Sequence, residues 1–134
     1  MELRKATIRD YRWIMNALCI KQIPFCTNEQ VRADFEHDRL YAIVEGDKVL
    51  ATVSLVEEPT YAYTAIKRMC ILNKKNCGKG IARFAIHEIQ HYAKGRIGAT
   101  PWDDNMKMRH LLESEGFRMQ YVFAEKWCFY AKEV

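Results

Sequence analysis

The chain has 134 residues, with Lys and Arg outnumbering Asp and Glu by 21 to 17, a formal charge of +4. That length predicts a single domain spanning residues 1–134, able to bury a core without disulfide or metal staples. The small, dispersed charge surplus gives no ground for nucleic-acid binding. With 49% hydrophobic and 28% charged residues the chain is of globular rather than disordered type, and no uncharged run exceeds eight residues, far short of a membrane span.

The opening Met-Glu-Leu-Arg-Lys lacks an apolar h-region, so no secretory signal is expected. The five cysteines form no CxxC pair, which leaves neither a zinc ribbon nor a thioredoxin-type motif and fits a reducing, cytoplasmic setting.

In chain order, Glu2 to Ile8 alternates weakly and reads as an edge strand. A helix follows, with Asp10 near its start and Trp13, Ile14, Ala17 and Leu18 as its apolar stripe; Pro24 ends that region. Thr27-Asn28-Glu29-Gln30 has the spacing of a capping box and opens a second helix to about Asp38. Leu40–Val44 and Val49–Val56, joined through Gly46-Asp47, read as a hairpin, and Thr64–Leu72 as a further strand. From Gly80 to Lys94 the period becomes helical, with Ile81, Phe84, Ala85, Ile89 and Tyr92 on one face. Arg96–Thr100 is a short strand, Asp104–Glu115 a helix stopped by Gly116, and Phe117–Phe123 and Lys126–Lys132 are two aromatic strands. The order β-α-α-β-β-β-α-β-α-β-β describes a mixed α/β layer fold.

Asn73 to Ala82 lies between a strand and a strong helix. Gly78 and Gly80 permit a tight turn and close approach of a ligand to the backbone, and Lys74, Lys75, Lys79 and Arg83 surround the turn. A helix N-terminus with such cations suits a phosphate. The loop has neither the Walker A spacing nor a dinucleotide fingerprint.

These residues carry a resemblance to the GNAT N-acetyltransferase superfamily. Cys77-Gly78-Lys79-Gly80-Ile81-Ala82 lies over its motif Gln/Arg-x-x-Gly-x-Gly/Ala, with Cys77 departing at the first position. Asn105, Leu111, Leu112, Gly116 and Phe117 lie over Asn-x5-Leu-Tyr-x3-Gly-Phe, with Leu112 in place of the tyrosine. The resemblance implies a mostly antiparallel central sheet with helices on both faces. It implies acetyl-CoA between two splayed strands, its pyrophosphate on the amides from Gly78 to Arg83 beside Cys77. The pantetheine arm would follow the backbone of Cys70, Ile71 and Leu72, and Asn105 would hydrogen-bond it.

The acetyl group would pass to a primary amine of a small molecule, peptide or protein by direct attack in a ternary complex. Leu112 removes the acid that the family often uses for the departing thiolate; the candidates to substitute are His110, Tyr121 or a water. Carboxylates at strand ends supply candidate bases: Glu57 and Glu58 after the third strand, Asp103 and Asp104 after the fifth. Tyr61 and Tyr63 either border an acceptor pocket or begin a strand, and Trp102 either walls the substrate site or, as is more common, is a structural aromatic. Aromatic side chains on both faces of the last strand suit a monomer or a homodimer.

Two other readings stand beside this one. Leu112 and Cys77 favour a non-catalytic acyl-CoA-binding or interaction module. His87-Glu88-Ile89-Gln90-His91 spells the zincin motif His-Glu-x-x-His of a small zinc peptidase. At about 100° per residue, however, His87 and His91 fall away from the apolar stripe, on a wet face with Arg83 and Lys94. Surface histidines are the favoured reading, with no metal site.

Overall fold

The computed structural model describes residues 1–21 and 26–134. Its elements run β1 (Glu2–Lys5), α1 (Ile8–Lys21), α2 (Asn28–Glu36), β2 (Leu40–Glu45), β3 (Lys48–Glu58), β4 (Tyr63–Ile71), α3 (Ile81–Ile89), β5 (Arg96–Ala99), α4 (Met106–Ser114), β6 (Arg118–Phe123) and β7 (Trp127–Glu133). The order of elements is the expected one. The seven strands form one sheet in the order β1-β2-β3-β4-β5-β7-β6, antiparallel throughout except for the parallel pair β4–β5.

Alternation along the strands builds two cores. Leu40, Ala42 and Val44 of β2 pack with Ile14, Leu18 and Val31 of α1 and α2. The intervening Tyr41 and Ile43 face the opposite side with Ile81, Ala85, Ile86 and Ile89 of α3 and Leu112 of α4. The helix pairs thus cover the two faces. The core under α1 and α2 draws only on β2, β3 and β4, so on that face β5, β7 and β6 carry no helix among the described residues.

Helix starts follow local chemistry. Thr27 and Gln30 form the expected capping box. A second box, absent from the sequence expectation, opens α1: the Thr7 hydroxyl accepts from the Asp10 N–H and the Asp10 carboxylate accepts from the Thr7 N–H, both at 3.1 Å. Arg4 of β1 grips the same carboxylate through two nitrogens at 2.9 and 3.1 Å.

Burial alone would raise the Asp10 carboxyl pKa, but the bonds from Arg4 and Thr7 outweigh it and hold the group below its ordinary value. A depressed folded-state pKa contributes stability above the unfolded value of about 3.9 and loses it as pH falls through the folded value. Asp10→Asn should therefore cost about 1–3 kcal/mol at pH 7. It should also flatten the acid limb of stability; chemical denaturation at pH 7 and at about pH 3 checks both.

Several expected boundaries shift: β1 ends at Lys5, so that Ile8 opens α1 rather than closing the strand, and two later helices also differ. The helix placed over Gly80–Lys94 is α-helical only to Ile89 and tightens into a single 3-10 turn at Gln90–Tyr92. Tyr92 is consequently exposed rather than part of the stripe, and its hydroxyl donates to the Leu3 carbonyl at 3.3 Å. The last helix begins at Met106 rather than Asp104, because Asn105 is its N-cap and accepts from the Met108 N–H. The expected break at Pro24 lies outside the described residues.

Candidate active site

The site originates in a parting of strands. β4 is held by β3 along its length, with pairs from Glu58↔Tyr63 to Ala51↔Ile71. β5 is held by β7 from Arg96↔Glu133 to Ala99↔Tyr130. Between themselves β4 and β5 pair only at Thr64↔Ile97 and Ala65↔Gly98, then diverge. From Ile66 onward the β5-facing edge of β4 therefore has no ladder partner, an open row of amides and carbonyls.

A bulge sharpens the divergence: the β3–β4 register shifts between Thr52 and Ser54, and Arg68 takes a left-handed φ of 54°. Arg68 is anchored from across the sheet, its guanidinium donating to both oxygens of Asp34 on α2 at 2.5 and 2.7 Å. Ser54 donates to the same carboxylate at 2.7 Å, and Asp34 is only 2% exposed. No local sequence pattern announced this cluster, whose members lie on α2, β3 and β4.

Beyond the open edge, Asn73–Gly80 leads to α3. Asn73 caps a single 3-10 turn over Lys74–Asn76, its side chain accepting from the Lys75 N–H, and Cys77 is exposed at the end of that turn. Gly78 and Gly80 have φ values of 80° and 77°, and a Cβ on either would meet nothing within 4 Å. Gly80 is the N-cap of α3 and offers no side-chain cap, whereas Thr7, Thr27 and Asn105 cap the other three α-helices. The first N–H groups of α3 consequently open onto the loop with Lys79 nearby. Arg83, also exposed, reaches across to donate to the Ser114 hydroxyl at 2.8 Å and so links the starts of the α3 and the end of α4.

A cleft of about 710 Å³ fills the point of divergence, with Tyr63, Ala65, Lys67 and Arg68 on one wall and Ala99, Thr100, Trp102 and Asn105 on the other. Gln30 of α2, Phe123 and Trp127 complete its rim. Of the two carboxylates that end β3, Glu58 is half-buried and accepts from Lys67, a cleft residue, at 2.9 Å. Glu57 is exposed, and strand alternation with Leu55 turns it toward the α3 side. Asp103 and Asp104 are exposed beside Trp102, and Tyr61 stands outside the cleft at 69% exposure.

The remaining expected residues divide by position. Cys70 and Leu72 bury their side chains under α1 and α2, while Ile71 packs toward α3. Only their backbone is available along the open edge. Ile81 is a core residue of α3, with Ala82 half-buried behind the turn. Leu112 is fully buried. His110 is exposed, and Tyr121 lies on β6 against Phe129, with ring centroids 5.3 Å apart.

His87 Nδ1 lies 2.7 Å from Glu115 and His91 Nδ1 lies 3.1 Å from Glu88, with His91 already in the 3-10 turn. Among the described residues no three His, Cys, Asp or Glu side chains converge as a metal-holding group. Nor is any described helix long and apolar enough to cross a membrane.

The open edge, the uncapped helix start and the glycines that leave both accessible fit a long ligand with an amide-bearing arm and a phosphate end. Residues 7–117 match the family model described as acetyltransferase (GNAT) family. A GNAT-family acetyltransferase from Bacillus cereus superposes with a TM-score of 0.82 at 13% identity, covering 98% of this chain and 96% of its own. Spermidine N-acetyltransferase from Vibrio cholerae, in complex with CoA and spermine, gives 0.77 at 18% identity, covering 98% and 94%. An aminoglycoside 6'-N-acetyltransferase complexed with coenzyme A gives 0.78 at 10% identity, covering 98% and 96%. A comparison with the curated proteins finds no match.

Proposed function

Because the chain belongs to the acetyltransferase (GNAT) family, whose enzymes use acetyl-CoA, we propose that it is an N-acetyltransferase acting on a primary amine by direct attack in a ternary complex. One observation carries this reading: the unpaired edge of β4 begins at the cleft, and the loop that follows β4 ends at the uncapped N-terminus of α3. The amides of Gly78 to Arg83, with Cys77 at the turn before them, would take the pyrophosphate, and Lys79 and Arg83 would add positive charge. Backbone groups of Cys70, Ile71 and Leu72 would pair with the pantetheine amides as an added strand would. Asn105 uses its side-chain oxygen to cap α4, which leaves its NH₂ to donate toward the cleft it lines.

When bound, acetyl-CoA supplies a thioester whose carbonyl carbon is the electrophile. The chain holds the amine against it, so that an N–C bond forms as the C–S bond breaks. The amine's proton leaves to water or to a carboxylate, for which Glu58, on the cleft's side of β3, is better placed than Glu57. An unpaired β4 N–H at the divergence would polarise the thioester oxygen, and the departing thiolate takes its proton from solvent.

Leucine at position 112 favours a second reading, a module that binds acetyl-CoA without turning it over, because its apolar, buried side chain offers no acid. Calorimetric titration with acetyl-CoA and an assay of thiol release over a panel of amines separate the two. Binding with release supports the enzyme, binding without release on any amine supports the module, and no binding to folded protein refutes both.

A further inference from the structure

The cleft's walls carry more information than its position. On the face that α1 and α2 leave uncovered, Tyr63 meets Phe129 edge-on at 5.0 Å, and Gly98 lies beneath them, where a Cβ would come within 3.1 Å of both rings. At the far rim Trp102 meets Trp127 edge-on at 5.5 Å, and Phe123 stacks on Trp127 at 6.5 Å. Trp102 and Phe123 remain 40% and 45% exposed, so their ring surface faces the opening.

Lys67 and Arg68, the cations among the described residues lining the cleft, are already matched. Lys67 is paired with Glu58, and Arg68 with Asp34. The Lys126 ammonium stands 5.8 Å from the centroids of both Trp102 and Trp127. Among the described residues lining the cleft there is no carboxylate, and residues 22–25 contain no acid in their sequence.

Resting on the acetyltransferase reading, we infer that the acceptor is a primary amine carried on an aromatic body, with no second positive charge. Such a molecule buries its ring against Tyr63, Trp102 and Phe123 and presents one amino group to the floor between Ala65 and Ala99. Aromatic pairs of this kind contribute beyond the area they bury. A polyamine would have to desolvate several ammonium groups in a cleft whose described lining offers no carboxylate to receive them. The same surroundings aid the chemistry. Apolar walls disfavour the charged form of a lone acceptor ammonium, raising the fraction of free amine that can attack. Strong general-base help is correspondingly less necessary, in keeping with a Glu58 that is tied to Lys67.

The test measures thiol release at saturating acetyl-CoA with 2-phenylethylamine and with spermidine, alongside calorimetry of acetyl-CoA. Phenylethylamine is expected to have the higher kcat/KM by about tenfold or more. Trp102→Ala should reduce that value by about tenfold, and Trp102→Phe should restore most of it, with acetyl-CoA affinity unchanged in both. Phe123→Ala provides a second variant at an exposed position should Trp102→Ala fold poorly. Spermidine equalling or exceeding phenylethylamine overturns the inference, as does indifference to loss of the rings. Acetyl-CoA binding with neither amine acetylated also overturns the aromatic acceptor while leaving the cofactor reading in place. Absence of acetyl-CoA binding by folded protein strikes the acetyltransferase reading itself.

Discussion

Gly80→Glu is expected to lower acetyl-CoA affinity by about 100-fold or more with only a modest loss of stability. The two effects separate because Gly80 has two roles. Its φ of 77° is a left-handed conformation that an L-residue enters at a cost of about 1 kcal/mol, yet a Cβ there meets nothing within 4 Å. The fold therefore tolerates the side chain. What it does not tolerate is an anion at the uncapped start of α3, where the glutamate carboxylate would compete with the pyrophosphate and repel it. Gly80→Ala is the control: the same backbone strain without the charge, and a smaller loss of affinity. Calorimetric titration of the two variants, with thermal melts to establish folding, gives the comparison. Equal, wild-type-like binding by both would remove the pyrophosphate from this turn.

What the sequence revealed of this site follows from the range of the forces involved. The loop at Gly78–Gly80 was legible because glycine spacing and helix onset are local. The strands were legible because alternation at Leu40–Val44 records two buried faces at once. Where two local signals competed, the reading faltered. Tyr92 keeps the helical period of Ile81, Ala85 and Ile89, but the backbone tightens after Ile89 and continues to Gly95 at a φ of 78°. Thr7-x-x-Asp10 has the same spacing as Thr27-x-x-Gln30 but carries the shorter aspartate where glutamate or glutamine is usual, so only the fold reveals it as a box.

The resemblance implied a cleft between two splayed strands, with Tyr63 and Trp102 as candidates for its border, but the rest of its wall was out of reach. Their neighbours Phe123 and Trp127 read as ordinary members of a closing hairpin. Only the sheet order, which brings β7 beside β5, makes them one wall.

Arg68 shows most clearly how fold and site depend on the same contact, and Arg68→Met is expected to destabilise the protein by about 3–5 kcal/mol. In a strand reading Lys67-Arg68, the arginine looks like a solvent-facing charge. In the fold its side chain is 14% exposed and spans from the β4 bulge to α2, where Asp34 is almost wholly enclosed. Methionine fills much of the same volume but leaves the carboxylate with the Ser54 hydroxyl as its remaining side-chain donor among the described residues, and an uncompensated buried charge costs more than the pair was worth.

Replacing both partners, Asp34→Leu with Arg68→Met, removes that charge and should recover much of the lost stability, a sign opposite to simple additivity. Function should not recover with it. Arg68 holds a left-handed backbone at the point where β4 leaves β5, so relaxing the bulge re-aims the amides that face the cleft while the α3 turn, some ten residues on, is untouched. The double variant is thus expected to bind acetyl-CoA through the α3 turn yet release thiol more slowly than wild type. Urea denaturation of the four proteins of the cycle, paired with thiol-release rates on the stable ones, tests both halves. Full recovery of rate along with stability would show that the ion pair maintains the fold without shaping the site.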